Sequence, residues 1–545
     1  MTGPELPSAG DRRLQDQHGS LWSLGTRMIQ AGRWAEATDQ FLRIVEIVPT
    51  DAAAMVQASH LLSRLDRYRE AHALAMRAAR IERPIQAEAA VQIAKLLRRF
   101  EEPGQLQALF VDTNWRDCRS AQLLTEAARL LMTSGLHAEA LAMVDRALVV
   151  DPDYPHAHYL RGSMLAAAGV QEGARASLQR ASSLDPGAPH VHWMLSWQPS
   201  GADTGEAAAE ALVIELRERI RHSAPGSDAR AYLAYALHNR LHRLQRYDDS
   251  WQALASGMQA KRIATPYRPE AQRQLFDALH AMPLPRLPDV ASSPGEPRPI
   301  FIVGMHRSGT TLLEHLLAGH STVADGGETY TFTAQVSEAT DHHCSGVIDA
   351  TALGRLDSVD WQSLGDGFRA YARWRAGGRA ALTEKLPSNF LNMGLIARAL
   401  PEARFLHMRR DPVDVCFSNL RTFFGQAAAY SYDQEQLAGY YLQYQRLMTH
   451  WHAHFSGRIL DIDYAALVRD PEAQMRRVMA FCGLDFEPGA MDVGRGGGSV
   501  ATASMADIRG GIRKDRGGAW RPYAARLQPL LEALRPAYVD APETD

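Results

Sequence analysis

The pattern of apolar residues divides the chain into a helical first half and a second half of alternating strands and helices. In the second half, short apolar runs predict strands at 300–304, 380–384, 403–408 and 458–463. Longer segments there predict helices at 309–319, 389–400, 412–422, 433–454 and 470–482. Such alternation is typical of a mainly parallel sheet covered by helices. Residues 283–298, in a proline-rich stretch that a helix cannot accommodate, are predicted to form a semi-rigid linker between the halves.

The first half repeats itself with a period of 34 residues, the distance from Gly32 to Asp66 and from Gly135 to Gly169. A small residue recurs in the second helix of each unit, as Ala37, Ala71, Ala140 and Ala174. A proline closes each unit, at Pro49, Pro84, Pro152 and Pro186. The register leaves room for one degenerate unit near residues 88–120, and an atypical last unit begins at Leu244.

This repeat resembles the tetratricopeptide (TPR) repeat. The resemblance implies an all-α solenoid over residues 21–282, preceded by a flexible N-terminus at 1–20. Stacked helix pairs of this kind form a concave surface, which would hold a peptide or a partner protein. The alternative is that the solenoid only scaffolds the enzyme or forms a homodimer.

Residues 300–311, IFIVGMHRSGTT, predict a buried strand, a loop bounded by Gly304 and Gly309, and then a helix. This is the build of a phosphate cradle, in which loop amides and the positive helix end face an anion. Loops that bind nucleoside triphosphates need a lysine where Thr310 stands here. Arg307 supplies a positive charge from within the loop instead. The loop therefore suits a nucleotide whose phosphates are held rather than hydrolysed with Mg²⁺.

The HRSGTT sequence resembles the 5′-phosphosulfate loop of sulfotransferases that use 3′-phosphoadenosine 5′-phosphosulfate (PAPS). The PRSGTT form of tyrosylprotein sulfotransferases is most similar, with His306 here in place of proline. The resemblance implies an α/β, P-loop-like sulfotransferase domain over residues 299–535. It implies a grip on the 5′-phosphosulfate by Arg307, Ser308, Gly309, Thr310 and Thr311.

Glu328, in DGGETYTF, lies where the tyrosylprotein family has its GEET element. The resemblance implies that Glu328 is the general base, since a hydroxyl acceptor needs a nearby group for its proton. The alternative is a loop glutamate that only caps or binds substrate. His306 is the rival base, while His320, at the end of the first helix, is interpreted as a partner of the helix dipole.

Lys385, in TEKLPSNF, ends a predicted strand and corresponds to the lysine of the family's NKDPF element. Its point charge would contact the leaving phosphate or the sulfonate. The alternative is a solvated lysine. Leu386 between Lys385 and Pro387 is a departure from the family's pattern.

FLHMRRDPVDVCFSNL at 405–420 resembles the family's 3′-phosphate element. The resemblance implies that Arg410, at the strand end, and Ser418, in the following helix, hold the 3′-phosphate that distinguishes PAPS from ADP or ATP. Arginine suits this role because its planar fork binds phosphate bidentately. Arg409 is the alternative ligand, and a solvated basic pair is the other interpretation.

Two further segments resemble the family more weakly. Tyr464, in ILDIDYAALVRDP, matches a strand-end tyrosine near the nucleotide. In the C-terminal stretch 502–520, Ser504, Arg509 or Lys514 would reach a phosphate, unless this stretch is a solvated loop.

Composition narrows the class of protein but does not name it. The chain of 545 residues is 46% hydrophobic and 22% charged, as expected of a globular protein with more than one domain. A net charge of −3 gives no reason to expect nucleic acid. Four separated cysteines argue against a disulfide framework. The sequence HHC at 342–344 is interpreted as a chance cluster, so no metal site is predicted. No leader or membrane segment is visible, which favours a cytoplasmic protein.

Together these observations predict a PAPS-dependent sulfotransferase that gives a sulfate ester and 3′,5′-ADP, with Arg307, Glu328 and Lys385 as the catalytic residues. The predicted acceptor is a tyrosine of a protein or peptide, which the solenoid would help to present. One alternative keeps the chemistry on a carbohydrate or small-molecule hydroxyl. Two others are a P-loop kinase and a non-catalytic TPR scaffold.

Overall fold

The computed structural model describes residues 9–81, 85–198, 206–284, 295–425, 427–491 and 517–539. The chain forms two compact units. The first comprises Met1–Pro152, Thr331–Ser345 and Gly354–Leu364, and the second comprises Asp153–Tyr330, Gly346–Leu353 and Gly365–Asp545. None of the helices in the described ranges combines the length and apolarity needed to cross a membrane.

The first half of the chain is helical. Its α-helices are α1 Ala9–Gln30, α2 Trp34–Ile47, α3 Ala52–Arg64, α4 Tyr68–Ala79, α5 Ala87–Arg99, α6 Pro103–Asp112, α7 Ala121–Thr133, α8 His137–Val150, α9 Pro155–Ala167, α10 Gln171–Leu184, α11 Pro189–Trp197, α12 Glu206–His222, α13 Asp228–Arg243, α14 Tyr247–Ala264 and α15 Pro269–Ala281. A short 3₁₀ turn lies at Trp115–Asp117.

The second half alternates strands and helices. In chain order they are β1 Arg298–Gly304, α16 Thr310–Ala318, β2 Val323–Asp325, α17 Thr331–Thr340, α18 Ala350–Leu353, α19 Trp361–Ala376, β3 Ala381–Glu384, α20 Met393–Ala399, β4 Arg404–Arg409, α21 Pro412–Leu420, α22 Gln434–His454, β5 Ile459–Asp463, α23 Tyr464–Arg469, α24 Pro471–Cys482, α25 Gln528–Ala533 and α26 Arg535–Val539. Short 3₁₀ turns lie at Leu356–Ser358, Pro387–Leu391, Ala429–Tyr432, Pro488–Met491 and Arg521–Arg526.

In each repeat, the same kind of turn joins the first helix to the second. One residue of each turn has a left-handed backbone, with φ between 56° and 77°, at Gly32, Asp66, Glu101, Gly135, Gly169 and Gln245. The amide after it donates to the carbonyl five residues earlier, as from Arg67 to Leu62 and from Arg246 to Leu241, both at 3.0 Å. This is a Schellman-type helix ending. The turns at Glu101 and Gln245 confirm the degenerate unit near 88–120 and the last unit beginning at Leu244.

The small residue of each repeat lies where two helices approach closely. Ala37, Ala71, Ala140 and Ala174 are all completely buried. A larger side chain at these positions would separate the helices of a pair, because a packed interior has no free volume to accept it. The predicted α-helical repeat region is therefore confirmed in its period and in its packing.

The N-terminus differs from the prediction. Residues 9–20, which were expected to be flexible, belong to helix α1. His18 hydrogen-bonds the Asp51 carboxylate at 2.6 Å, and the Trp22 ring packs edge-on against Phe41 at 5.2 Å. These contacts hold α1 against α2 and the start of α3, and the 34-residue period carries no signal of them. The other domain boundaries predicted from the sequence stay predictions.

In the first unit, the turn at Asp66 binds a distant segment. The Asp66 carboxylate accepts a hydrogen bond from Arg355 at 2.8 Å and hydrogen-bonds the His342 ring at 2.6 Å. Arg69, on α4, donates to the backbone carbonyl of Glu338 at 2.8 Å. Asp66 thus adopts a backbone conformation that favours glycine, and its carboxylate binds Arg355 and His342.

His72, on α4, lies between two carboxylates. Its Nδ1 is 3.1 Å from Glu338 and its Nε2 is 3.0 Å from Glu102, so both ring nitrogens donate when the ring is protonated. Burial lowers the pKa of His72, but the two carboxylates outweigh it and raise the pKa to about 9.

We expect His72 to stabilise the protein below the pKa of an unfolded histidine and to lose this effect as pH rises through the folded pKa. Replacement by glutamine removes the charge and should lower the free energy of unfolding by about 3 kcal/mol at about pH 6. The effect should disappear near pH 9.5. Thermal midpoints of wild type and His72→Gln at both pH values measure it, with the exposed His156→Gln as control. An equal difference at both pH values would contradict this role.

The second unit contains a five-stranded parallel sheet in the order β2-β3-β1-β4-β5. The four strands predicted from apolar runs are confirmed, and β2 lies at Val323–Asp325. The hydrophobic core around the sheet includes Ile300 and Ile302 of β1, Leu406 of β4 and Ile462 of β5, all completely buried. In a parallel sheet all carboxyl ends meet at one edge, where α/β proteins place their ligands.

The last helix of the first half packs against aromatic residues of the second half. Phe276 of α15 is buried and its ring lies 5.6 Å from Tyr440 of α22 and 6.4 Å from Phe390. The helices α9 to α15 and the sheet therefore belong to the same compact unit.

Candidate active site

The loop between β1 and α16 has the glycine requirement that its sequence predicts. Gly309 has φ of 109°, a conformation that disfavours side chains. A Cβ atom there would lie only 2.4 Å from the Tyr464 ring. Tyr464, which begins α23 after β5, therefore packs directly on the loop backbone.

The start of α16 is lined by buried hydroxyl side chains. The Ser308 hydroxyl is buried and has no hydrogen-bond partner among the described residues. Thr310 and Thr311, in the first turn of α16, are also buried. The first amides of a helix lack intrahelical acceptors and favour an anion. An orphaned hydroxyl beside such amides fits an anionic group such as a phosphosulfate.

Arg307 connects the loop to α21. Its backbone is left-handed, with φ of 69°, which is unusual for a residue with a side chain. Its Nε donates to the Ser418 hydroxyl at 3.2 Å, and its carbonyl accepts from Arg410 Nη1 at 3.4 Å. The structure thus brings together three of the predicted donor-binding residues.

The two strand-end arginines face different partners. The Arg410 guanidinium lies over the Tyr464 ring, 4.6 Å from its centroid, and so stands beside the loop. Arg409 Nη1 donates to Asp461 Oδ2 at 3.2 Å, in a cluster that also contains His407 and His452. The sequence left both arginines as candidates, and these contacts favour Arg410 as the residue near the loop.

Lys385 lies at the end of β3 among carboxylates. It is completely buried and its ammonium donates to Glu328, which is 40% exposed, so the Glu328 side of this pair is open to solvent. Glu314 of α16 lies 3.8 Å from Lys385 Nζ. Burial lowers the pKa of Lys385, but the charges of Glu328 and Glu314 outweigh it and raise the pKa. Lys385 is therefore held as an ammonium.

Glu314 was not predicted from the sequence. Burial and the neighbouring Asp325 raise its pKa well above the usual range. Its Oε1 accepts from the Gly327 amide at 3.1 Å, which fixes the loop that leads to Glu328. The sequence feature that points to Glu314 is its position as a lone carboxylate in the apolar helix TTLLEHLLA. A charged residue inside a fully buried helix needs a partner.

His306 is hydrogen-bonded on its Nδ1 side by the Tyr430 hydroxyl at 2.9 Å. Burial, together with Lys385 and Arg307, lowers the pKa of His306 to about 4 against the opposing effect of Glu328. A base with such a pKa has little affinity for an acceptor proton at neutral pH. Asn419 Nδ2 donates to the His306 carbonyl at 2.7 Å, another contact that the sequence did not indicate.

His320 does not reach this site. Its Nε2 hydrogen-bonds the Asp485 carbonyl at 2.9 Å, and its Nδ1 accepts from the Thr322 amide at 3.2 Å. Ser504, Arg509 and Lys514, predicted to reach a phosphate, lie outside the described residues.

The second unit has a parallel sheet with a glycine-bounded loop after β1 and two arginines at the end of β4. In α/β domains of this kind, ligands bind at the carboxyl edge of the sheet. Residues 299–488 match the model of the sulfotransferase family. The fold predicted from the sequence is thus confirmed: a helical repeat region followed by a sulfotransferase domain with a parallel sheet.

Similar proteins add the following. An uncharacterized protein of Aquifex aeolicus (strain VF5) is 27% identical over 336 residues, which cover 60% of this chain and 44% of that protein. The chain therefore spans less than half the length of that curated relative. The sulfotransferase domain of the Synechococcus PCC 7002 olefin synthase is 20% identical, with a TM-score of 0.32 over 48% of this chain and 100% of that one. Sulfotransferase STF9 from Mycobacterium avium is 16% identical, with a TM-score of 0.27 over 60% and 97%. The assignment of the domain rests on the family match to residues 299–488.

Proposed function

We propose that this protein transfers the sulfonate of PAPS to a tyrosine hydroxyl of a protein or peptide. The observation that carries the proposal is the convergence of Arg307, Ser418 and Arg410 at one loop. This arrangement would supply a cradle for one anionic group at the start of α16 and the Arg410 guanidinium for a second, as a nucleotide with phosphates on both sides of its ribose requires.

In the proposed reaction, the bridging bond between sulfur and the 5′-phosphate oxygen breaks as the acceptor oxygen bonds to sulfur, leaving 3′,5′-ADP. Arg307 and Lys385 would neutralise negative charge on the sulfonate and the leaving phosphate. Glu328 would take the acceptor proton, with Lys385 fixing the orientation of its carboxylate. The low pKa of His306 favours Glu328 over His306 as this base.

The helical repeats would present the acceptor. Solenoids of paired helices carry extended surfaces suited to peptides. The solved TPR protein YrrB, which is 19% identical with a TM-score of 0.25 over 30% of this chain and 85% of that one, is described as having an unusual peptide-binding site. Acceptor presentation by this chain's repeats is part of the proposal.

A thermal-shift series with 3′,5′-ADP, 5′-ADP and ATP–Mg²⁺ tests the donor. Stabilisation by 3′,5′-ADP well beyond that by 5′-ADP is expected, because only 3′,5′-ADP carries the 3′-phosphate. Preference for ATP–Mg²⁺ would overturn the proposal in favour of a kinase, and no shift with any nucleotide would favour a non-catalytic scaffold. Transfer of ³⁵S from labelled PAPS to tyrosine peptides, compared with sugars and small phenols, then tests the acceptor.

A further inference from the structure

The C-terminal end of α21, the helix that carries Ser418, is bound by a helix of the repeat region. Tyr235 of α13 is completely buried, and its hydroxyl donates to the Leu420 carbonyl at 3.0 Å. Carbonyls in the last turn of a helix have no intrahelical partner. Tyr235 therefore caps α21 from an element outside the sheet.

The chain just after α21 is held by the same helix. The Phe423 ring lies 4.2 Å from that of Tyr232, 5.8 Å from Tyr235 and 5.9 Å from Trp193. Lys261 of α14 stands 5.2 Å from the ring centroid and is itself buried. Phe423 is partly buried. Its ring contacts attach the chain after α21 to the helical region.

A third contact reaches the middle of α21. Tyr523 hydrogen-bonds His242 of α13 at 2.8 Å and Ser250 of α14 at 3.0 Å. Its ring packs against Phe417 at 5.1 Å, one residue before Ser418. The Gly518 amide, in the same segment as Tyr523, donates to Asp414 at 2.8 Å.

Two adjacent residues of α21 meet the loop between β1 and α16. Ser418 accepts from Arg307, and the adjacent Asn419 donates to the His306 carbonyl. A small displacement of α21 would therefore move both groups relative to the loop. Such a displacement would weaken the hold of these residues on a bound nucleotide.

We propose that the last repeat, α13–α14, is a positioning element of the donor site, acting through the hydrogen bond from Tyr235 to Leu420 and the contacts of Tyr232 and Lys261 with Phe423. The helical region then has a second role in this chain, distinct from acceptor presentation: it sets the affinity for the donor. This inference rests on the proposed function, because it concerns the 3′-phosphate of the same nucleotide.

The test is the affinity of full-length Tyr235→Phe for 3′,5′-ADP, measured by calorimetry, together with the KM for PAPS. Loss of one buried hydrogen bond to the helix end is expected to weaken 3′,5′-ADP binding about fivefold to tenfold. The KM for PAPS should rise in parallel, with kcat and the acceptor KM unchanged. Phe423→Leu, which removes the ring but keeps an apolar side chain, should act in the same direction.

Tyr159→Phe serves as the matched control, since Tyr159 lies on α9, an earlier repeat helix of the same unit. A merely structural role for Tyr235 would lower the thermal midpoint without changing the KM for PAPS, and that result would overturn the inference. Wild-type affinity in both Tyr235→Phe and Phe423→Leu would overturn it as well. Failure of the wild type and the control to bind 3′,5′-ADP would instead reject the proposed function, and the inference with it.

Discussion

Glu328→Gln is expected to lower kcat for sulfonate transfer by about 10³-fold while leaving 3′,5′-ADP binding unchanged. Glutamine keeps the size of the side chain and an oxygen that can accept from Lys385, but it cannot take the acceptor proton. Single-turnover transfer from labelled PAPS measures the chemical step, and calorimetry measures nucleotide binding.

Glu472→Gln is a suitable control for this experiment. Glu472 is an exposed glutamate of α24 that pairs with Arg476, and its replacement should leave turnover unaffected. Unchanged turnover in Glu328→Gln would remove Glu328 from the mechanism. A parallel loss of nucleotide binding would instead assign Glu328 to organising Lys385 in the donor site.

Arg410→Ala is expected to weaken 3′,5′-ADP binding about 100-fold and to leave the weaker binding of 5′-ADP nearly unchanged. The guanidinium stands beside the loop over Tyr464, where it can form charge-assisted hydrogen bonds with a 3′-phosphate. Because 5′-ADP lacks that phosphate, it loses nothing when the arginine is removed. The ratio of the two dissociation constants is therefore the quantity to measure.

Arg409→Ala is the matched control, since it removes the same charge one residue earlier from a side chain that pairs with Asp461. It should keep the ratio of the wild type. A collapsed ratio in Arg409→Ala but not in Arg410→Ala would reverse the assignment of the two arginines. Equal losses for both nucleotides would indicate a general electrostatic effect instead of recognition of the 3′-phosphate.

The sequence predicts the features of this fold that depend on local pattern. Strands β1, β3, β4 and β5 are short apolar runs, and apolar runs of that length between turn signals form buried parallel strands. The repeat period can be predicted from the sequence because the same turn recurs, even where Glu101 or Gln245 replaces glycine. The position of the anion loop followed from the glycines at its two ends.

Contacts between residues distant in sequence could not be predicted in this way. Nothing near Asp66 indicates that its partner is His342, and nothing near Leu420 indicates Tyr235. Glu314 was a partial exception, because a lone carboxylate in an apolar helix must be satisfied somewhere. Its partner Lys385 was itself visible, but their pairing depends on the order of the strands, which the sequence pattern does not specify.

The packing of Phe276 against Tyr440 and Phe390 limits where the chain can be divided into separately folded fragments. A fragment that starts in the proline-rich stretch, at residue 283, would retain the family-matched segment but lack α13 to α15. Its newly bared aromatic surface would favour aggregation. Inactivity of such a fragment would then say nothing about acceptor recognition. A fusion protein that contains the sheet region should therefore also contain residues 228–281.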